Sequence, residues 1–456
     1  MKTRKKFWKL GRADVGTQYF DLNKEGNLVV KEGNYLYDLV NLAEKFGTSL
    51  EIVFPFIIEQ RARELIDTFH DEFRHQKYRG KFWYHYPMKV NQNKEFILPL
   101  ITEGAMLETA SANELFLVKR LWEQNRFAPN LRVLCNGPKT EAYLNLISQL
   151  KANGLSIIPI IEGEDELDYL RKFSGEVGIR VNILDVKVDS HWDKKIDQFG
   201  FTPKQLLGLG RIRNLKILHY HVGSQTERGT DLIALARSAM KTFIELKKIN
   251  PSLDTLDIGG GFAVPYEKKP LYSLATTTRR LTRMLKKEAE EAGISHPNLI
   301  VEWGRYITAP AQITIFKVIA QKPIPIKAGA KMWYTIDGSF MNDLLDTWSI
   351  HQKWHIVPVN HANTKRLHST WLVGMSCDSD DKYTAGGEGI SLPKLDELPP
   401  GENLYIAFFD TGAYQDALES SHCLLSSPAK IIVQNGVVTV ARKRETPEEV
   451  GKLFGW

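Results

Sequence analysis

Between about residues 80 and 310, short runs of β-branched and aromatic residues alternate with longer segments of helical periodicity. In one such segment, Leu235, Ala239 and Phe243 follow the i, i+4, i+8 spacing that places apolar side chains on one helix face. The short runs predict strands at residues 82–90, 105–109, 131–135, 156–161, 178–183, 216–221, 255–258 and 299–302. Eight such units predict an α/β fold, a (β/α)₈ TIM barrel, which commonly takes about 250 residues.

After about residue 310 the pattern changes to strands joined by loops, with few helical segments. Strands are predicted at residues 312–320, 331–336, 369–375 and 403–409, with a hairpin over 431–440 that turns on Asn435 and Gly436. This succession of strands and loops predicts a C-terminal antiparallel β-sandwich or β-barrel domain. The predicted division is therefore a segment 1–49 that joins the β domain, a barrel at 50–310 and the β domain at 311–456.

Composition excludes several classes of protein. The 60 Lys+Arg exceed the 54 Asp+Glu by a net charge of only +6, which is too small to indicate a nucleic-acid partner. No apolar window approaches the roughly 18 to 20 residues that span a bilayer, and the basic N-terminus contains aromatic residues instead of a signal-peptide core. We therefore expect a soluble cytoplasmic protein with no membrane partner.

The chain has three cysteines, Cys135, Cys377 and Cys423, which are far apart in sequence and form no C-x-x-C pair. An odd number at such spacings argues against a disulfide framework, and the absence of a ligand pattern argues against a zinc site. No metal site is predicted.

In a (β/α)₈ barrel the functional residues lie at the carboxyl ends of the strands. At the end of the first predicted strand, Lys89 would be partly desolvated, which lowers the pKa of its amine and favours imine formation. The alternative is a surface lysine whose stem lies along apolar surface. Other residues at predicted strand ends are Glu108, Cys135, Asn136, His221, Ser224, Gly259, Gly260, Gly261, Glu302 and Arg305.

The three glycines 259–261 follow a strand and would let backbone N–H groups approach a phosphate, with Arg305 and Ser224 as further ligands. The alternative is an ordinary tight turn, and no dinucleotide or P-loop motif is present. A carboxylate such as Glu302 can keep a pyridine nitrogen protonated, and His221 can stack on the ring or be a core histidine. Together these residues describe a pyridoxal 5′-phosphate site.

Six motifs carry a resemblance to a known family. They are residues 86–92, 221–225, 257–262, 302–306, 377–380 and 412–415. In this order they resemble the fold-type III PLP-dependent decarboxylases, the group of ornithine, arginine and diaminopimelate decarboxylases. Segments 89–92, 346–352 and 377–380 are most similar to biosynthetic arginine decarboxylases. The resemblance implies an alanine racemase-like barrel followed by a β domain.

The resemblance also implies roles for single residues. Lys89 would bond covalently to the cofactor, His221 would stack on its ring and Glu302 would pair with its pyridine nitrogen. The full set of implied cofactor-binding residues is Lys89, Glu108, Arg180, His221, Ser224, Gly259, Gly260, Gly261, Glu302, Gly304, Arg305 and Tyr414.

For the reaction, the resemblance implies that Cys377 returns a proton after CO₂ leaves and that Asp378 binds the distal cationic group of the substrate, with Asp380 beside it. Cys377 thus joins Lys89, His221 and Glu302 as catalytic residues. In the family Cys377 and Asp378 serve the other subunit, which implies a homodimer with shared active sites and leaves higher oligomers open.

The implied activity is decarboxylation of L-arginine to agmatine and CO₂ in polyamine, including spermidine, biosynthesis. Ornithine, lysine, meso-diaminopimelate or a carboxylated polyamine precursor are alternative substrates, although Asp378 and Asp380 argue against the distal carboxylate of diaminopimelate. Amino-acid racemases share the barrel but lack Cys377 and Asp378. An inactive regulatory homologue would be expected to have lost Lys89 or Cys377, and both are present.

Two features depart from the family pattern. Trp303 stands where a smaller residue or proline is usual, and 456 residues cannot hold the helical insertion of the bacterial arginine decarboxylases. These departures leave the substrate and the oligomeric state open.

Overall fold

A computed structural model describes residues 2–124, 130–186, 198–221, 223–266 and 272–456. Its contacts divide the chain into two compact units. The barrel unit comprises Glu59–Val264 and a segment that ends at Ile307, and the β unit comprises Met1–Ile58, a short segment that starts at Pro265, and Thr308–Trp456. The α/β fold with a TIM barrel and a β domain is thereby confirmed.

In the barrel unit, parallel strands of the described ranges close into an eight-stranded barrel. The strands are Phe82–Pro87, Met106–Thr109, Arg132–Cys135, Ser156–Ile161, Val177–Arg180, Leu215–His219, Thr255–Asp257 and Asn298–Val301. The first strand pairs with both the second and the eighth, which closes the barrel. The helices around it are Pro55–Gln76, Lys94–Thr102, Ala112–Gln124, Glu141–Ala152, Leu167–Lys172, Pro203–Gly208, Gly229–Ile249, Leu274–Glu291 and Gly304–Thr308.

Strand alternation fills the barrel interior. Trp83 of the first strand packs against a buried apolar cluster that consists of Leu134, Ile158, Ile160, Ile217 and Ile300. Outside the barrel, the predicted apolar stripe of helix Gly229–Ile249 is buried. Each fully buried aliphatic side chain contributes about 1.5–3 kcal/mol to folding stability, so this cluster stabilises the barrel whose strand ends carry the predicted site.

The first strand is shorter than predicted. It ends at Pro87, and Met88–Val90 form a single 3₁₀ turn, so Lys89 lies on a turn and not within the strand. Pro87 has no N–H to continue the ladder, which explains the early end. The hydroxyl of Tyr86 donates a hydrogen bond to the backbone oxygen of Asn91 at 2.9 Å and closes the turn.

The β unit holds two sheets in the described part of the chain. An antiparallel three-stranded sheet contains Phe20–Leu22, Leu28–Glu32 and Tyr35–Asp38. The larger, ten-stranded sheet contains Leu50–Val53, Gln312–Pro323, Met332–Ile336, Ile356–Pro358, Leu367–Val373, Lys382–Tyr383, Ile390–Pro393, Leu404–Phe408, Ala429–Gln434 and Val437–Arg442. The helices of the unit are Lys2–Phe7, Leu39–Phe46, Asp346–Ser349, Gln415–Leu418 and Pro447–Lys452.

The larger sheet differs from the sequence prediction in two respects. It is mainly antiparallel, but Met332–Ile336 pairs with Leu367–Val373 in parallel, as Leu50–Val53 does with Ala429–Gln434. The strand Leu50–Val53 also pairs with Gln312–Pro323, so the N-terminal part of the β unit extends beyond the predicted boundary at residue 49. Among the helices of the described ranges, none has both the length and the apolar composition that crossing a membrane requires.

A buried ion network holds the larger sheet together. Lys430 is 1% exposed, its Nζ lies 3.2 Å from Glu51 Oε2, and it also pairs with Asp416. Arg442 Nη2 contacts the same Glu51 oxygen at 3.2 Å. Burial, followed by the nearby charge of Asp416, raises the pKa of Glu51 to about 8, so its ionised form depends on the two cations.

Replacing Lys430 with methionine is expected to lower the free energy of unfolding by about 3–5 kcal/mol, because two buried carboxyl groups lose their common cation. Differential scanning calorimetry measures this loss as a lower midpoint temperature of unfolding. The control Arg366→Ala removes an exposed pair with Glu397 and should leave the transition nearly unchanged. Equal melting of Lys430→Met and wild type would show that the network is not what stabilises the sheet.

Candidate active site

The turn that carries Lys89 lies against the end of the eighth strand. A side chain at Gly304 would place a Cβ 2.8 Å from Pro87 Cγ and 2.7 Å from Val90 Cγ2. The missing side chain therefore lets the two segments touch, and Gly304 positions Lys89 next to the residues that follow the eighth strand. Lys89 itself is partly buried, as predicted from its apolar strand.

The three glycines 259–261 follow the seventh strand and form a turn in which Gly259 and Gly261 have positive φ. Gly259 has φ +58°, and a Cβ there would lie 2.4 Å from the backbone oxygen of Tyr220, so only glycine fits. The backbone N–H of Gly260 donates a hydrogen bond to Nδ1 of His221 at 3.2 Å. The structure thus brings the predicted stacking histidine and the predicted phosphate turn together.

Two further predicted phosphate ligands meet beside this turn. Arg305 Nε donates a hydrogen bond to Ser224 Oγ at 3.0 Å, and Arg305 is only 8% exposed. The chain that leads on from Ser224 follows the glycine turn, because the N–H of Thr226 donates to the Gly261 oxygen at 2.9 Å. A guanidinium, a hydroxyl and a glycine turn are therefore linked by hydrogen bonds, and such groups could together hold an anion.

Beside the glycine turn, three titratable side chains are buried together. Nδ1 of His219 lies 2.9 Å from Asp257 Oδ2 and 3.9 Å from Glu302 Oε1. Asn136 Nδ2 donates a hydrogen bond to Glu302 Oε1 at 3.0 Å, and Asp257 Oδ1 accepts one from the N–H of Gly259 at 2.9 Å. Glu302 Oε2 has no hydrogen-bond partner among the described residues.

Burial dominates the electrostatics of this cluster. It raises the pKa of both Glu302 and Asp257 to about 7 and lowers the pKa of His219 to about 4. Burial, and next the charge of Glu302, raise the pKa of Glu108 well above its ordinary value, while the charge of Lys89 opposes the rise in both Glu108 and Glu302. A cation that enters this cluster would stabilise ionised Glu302.

Arg180 ends the fifth strand, where its Nη1 pairs with Glu162 Oε2 at 3.1 Å. Its guanidinium also lies 4.7 Å from the ring centre of Phe199, which fixes its orientation. Glu162 in turn accepts a hydrogen bond from the N–H of Gly137 at 2.7 Å. The predicted cofactor arginine is therefore held by neighbouring strand ends of the same rim.

Sequence reasoning missed His219 and Asp257 and gave Asn136 no role. The signal was present, because His219 precedes His221 by two residues and Asp257 precedes Gly259 by two. Residues two apart on a strand point to the same face. The residues two positions before His221 and Gly259 were therefore also candidates for the barrel interior.

The other predicted site residues, Cys377, Asp378, Asp380 and Tyr414, lie in the β unit, and their roles remain predictions. Cys377 is exposed on the loop that follows strand Leu367–Val373. In the same loop, Asp378 Oδ1 accepts a hydrogen bond from the N–H of Asp380 at 2.8 Å.

Tyr414 immediately precedes helix Gln415–Leu418. Gln415 joins the motif 412–415 to the segment 346–352. Its Nε2 donates a hydrogen bond to Asp346 Oδ2 at 3.0 Å, and its Oε1 accepts one from the Asp346 N–H at 3.2 Å. The segments 346–352 and 412–415 are thus neighbours within the β unit.

Comparison with known proteins agrees with this geometry. The family model "Pyridoxal-dependent decarboxylase, pyridoxal binding domain" matches residues 62–309. An arginine decarboxylase of Avena sativa is 25% identical, with 92% of this chain and 85% of the oat protein covered. That alignment runs over 523 residues, more than the 456 of this chain, so the oat protein carries segments that have no counterpart here.

Solved structures show the same fold. The biosynthetic arginine decarboxylase of Campylobacter jejuni superposes with a TM-score of 0.80 at 21% identity, covering 96% of this chain and 89% of that chain. A diaminopimelate decarboxylase of M. jannaschii in co-complex with L-lysine reaches a TM-score of 0.79 at 22% identity, covering 96% and 97%. Both arginine and diaminopimelate decarboxylases therefore have this fold, and the fold alone does not select a substrate.

Proposed function

The chain belongs to the pyridoxal-dependent decarboxylases, and from this premise we propose that it decarboxylates a basic L-amino acid, L-arginine, to agmatine. It is a carboxy-lyase whose cofactor is pyridoxal 5′-phosphate. The observation that carries the choice of arginine is the similarity to an arginine decarboxylase over 92% of the chain.

The residues at the barrel rim fit this cofactor. Arg305, Ser224 and the glycine turn would hold its phosphate, and the turn depends on Gly259, where a Cβ would lie 2.4 Å from the backbone oxygen of Tyr220. Glu302 Oε2, buried and without a hydrogen-bond partner in the described part of the chain, would accept the pyridine N–H. When bound, pyridoxal phosphate supplies the electron sink that lets the substrate release CO₂.

The chain's own residues would then carry distinct tasks. The amine of Lys89 would bond to the cofactor and yield its place to the substrate amine. Asn136 and His219 would keep Glu302 in position to pair with the pyridine nitrogen, since Asn136 donates a hydrogen bond to Glu302 Oε1 and His219 Nδ1 lies 3.9 Å from the same atom. These buried partners would exclude water from the carboxylate, which strengthens its interaction with a protonated nitrogen.

For proton return we propose Cys377. The Cys377 thiol is exposed, and because an ordinary cysteine thiol has a pKa of about 8.5, most of it holds at neutral pH the proton that it has to deliver. Asp378, which is partly buried, and Asp380, which is exposed, follow it closely in the chain and would bind a distal guanidinium or ammonium group through charge-assisted hydrogen bonds.

The test of the proposed substrate is CO₂ release by the purified holoenzyme from L-arginine, L-ornithine, L-lysine and meso-diaminopimelate. We expect kcat/KM to be highest for arginine by at least about tenfold, because a site built for a guanidinium leaves polar groups unpaired when a shorter amine binds. Preference for diaminopimelate would overturn both the substrate and the role of Asp378.

Replacing Asp378 with asparagine is expected to raise KM for arginine by about 10- to 100-fold with a smaller change in kcat. The reason is the loss of a hydrogen bond to a charged group, which is worth about 1.5–3 kcal/mol. Steady-state kinetics measure the split. Asp396→Asn, which changes an exposed carboxylate elsewhere in the β unit, should leave both constants unchanged. An unchanged KM in Asp378→Asn would remove this residue from substrate binding.

We also propose a homodimer in which Cys377 and Asp378 of each subunit serve the barrel of the other. Co-expressed Lys89→Ala and Cys377→Ala chains should then recover up to about a quarter of wild-type activity. Half of the random dimers are mixed, and each mixed dimer has one intact site of two. Each variant expressed alone is the control. Full inactivity of the mixture would contradict shared sites.

We further propose that the agmatine enters polyamine biosynthesis, including that of spermidine, in the cytoplasm. A bacterial relative, 24% identical over 90% of this chain, is named a biosynthetic arginine decarboxylase, which supports an anabolic role. Deletion of the gene in the source organism should lower cellular agmatine and spermidine, and agmatine supplementation should restore the spermidine.

A further inference from the structure

Two of the three cysteines are neighbours in space although 46 positions separate them in the chain. The sulfur atoms of Cys377 and Cys423 are 3.7 Å apart, and both residues are exposed. A disulfide bond needs an S–S distance of about 2.05 Å, so an approach of roughly 1.7 Å, within the reach of side-chain rotation, would join them.

The loops that carry these cysteines are anchored on the same turn. Asp381, at the end of the Cys377 loop, is 2% exposed and accepts a hydrogen bond from the N–H of Phe340 at 2.7 Å. Asn342, two residues further along that turn, donates a hydrogen bond from Nδ2 to the backbone oxygen of His422 at 3.0 Å. This common anchor holds the two cysteine loops side by side.

A second contact joins the loops directly. His422 Nε2 lies 3.7 Å from Asp378 Oδ2, so the residue before Cys423 faces the residue after Cys377. The third cysteine is different, since Cys135 is fully buried in the barrel unit and burial raises its pKa to about 11. Thiol reactivity follows the exposed thiolate, which leaves Cys135 inert.

We propose that Cys377 and Cys423 are a redox modification site, a thiol pair that hydroperoxides close to a disulfide. One thiolate attacks a peroxide oxygen and becomes a sulfenic acid, with release of water or an alcohol. The second thiolate then attacks that sulfur, forms the S–S bond and releases water. In total the two thiols lose two protons and two electrons, and the peroxide takes up both as its O–O bond breaks.

The consequence for catalysis rests on the proposed function of Cys377. A disulfide removes the thiol proton that would be returned to the substrate and pulls on the adjacent Asp378. The oxidised enzyme is therefore inactive, and a dithiol reductant restores it. Cys423 acts as the resolving thiol, because its attack on a Cys377 sulfenic acid prevents further, irreversible oxidation to the sulfinic acid.

The test uses the reduced holoenzyme and hydrogen peroxide in small excess. Peptide mass spectrometry should find a cross-link between the peptides of Cys377 and Cys423, lighter by about two hydrogen masses, while Cys135 stays a thiol. Decarboxylase activity should fall at least about tenfold with cross-linking, and dithiothreitol should return most of it. No cross-link between these cysteines would overturn the proposal, whatever the activity.

The matched variants are Cys423→Ser and Cys423→Ala, both expected to keep basal activity. After the same peroxide treatment Cys377 should carry a sulfinic acid, and dithiothreitol should recover at least about tenfold less activity than in wild type. Equal recovery in the variants would overturn the resolving role of Cys423. Cross-linking without loss of activity would overturn the switch, whereas a reduced enzyme inactive on every amino acid tested would contradict only the proposed function.

Discussion

Replacing Lys89 with alanine is expected to lower kcat by at least about three orders of magnitude, the largest effect of any single substitution in this chain. Lys89 lies on the 3₁₀ turn at the end of the first barrel strand, next to Gly304. Its amine is the group that would bond to the cofactor, and alanine cannot replace it. The protein should also lose the visible absorption of the lysine-bound cofactor.

Lys94→Ala is the matched control for this result. Lys94 is exposed and begins the next helix, so its loss should change neither activity nor absorption. Absorption spectra of the purified proteins, supplied with excess pyridoxal phosphate and then dialysed, measure the difference. A Lys89→Ala protein that keeps the absorption after dialysis would show that another lysine binds the cofactor.

The second large effect is expected for Glu302→Gln, with kcat lowered by about 100- to 1,000-fold. A glutamine keeps the shape of the side chain and can still contact Asn136, but it cannot stabilise a positive charge on a pyridine nitrogen. Asp257→Asn, in the same buried cluster, should lower kcat far less, because an amide oxygen can still accept the hydrogen bond from Gly259.

Although Glu302→Gln is expected to lower activity, it is expected to raise the stability of the apoprotein. Burial raises the pKa of Glu302 to about 7 from 4.5, so the folded chain binds a proton that the unfolded chain releases. Stability therefore falls as pH rises from about 4.5 to 7, and the loss persists above that range. Glutamine bears no such cost, so Glu302→Gln apoprotein should be more stable than wild type at pH 8, on the order of 1–3 kcal/mol.

The higher stability of the Glu302→Gln apoprotein at pH 8 would show that the Glu302 carboxylate serves function and not the stability of the barrel. His219, whose pKa is lowered to about 4, is neutral there and leaves the comparison unaffected. Urea denaturation of the two apoproteins at pH 5 and pH 8 measures the difference. A less stable Glu302→Gln apoprotein at pH 8 would show that Glu302 is a structural residue of the barrel.

The barrel could be predicted from the sequence because its signals are local. Each strand is a short apolar run, and the motif residues follow the strand ends, so one topological rule places Lys89, His221 and Glu302 on one rim. The same rule placed Ser224 and Arg305 there, and the structure joins them by a hydrogen bond.

What the sequence did not yield depends on contacts between distant segments. The strand Leu50–Val53 is short and precedes a long helix, and only its pairing with the distant strands Gln312–Pro323 and Ala429–Gln434 reveals its sheet. The neighbour of Cys377 was equally hidden, since Cys423 lies on another loop and no local pattern links the two. The buried neighbours of Glu302 were hidden in the same way, since His219 and Asp257 lie on other strands and only the closed barrel brings them beside Glu302.

The most direct test of the account is to locate the cofactor on the wild-type chain. Borohydride reduction of the holoenzyme fixes pyridoxal phosphate to its lysine, and peptide mass spectrometry then identifies that residue. We expect the added mass on Lys89, at about one per chain, and on no other lysine. Modification of a different lysine, or a chain that carries none, would contradict the assignment of this barrel rim as the decarboxylase site.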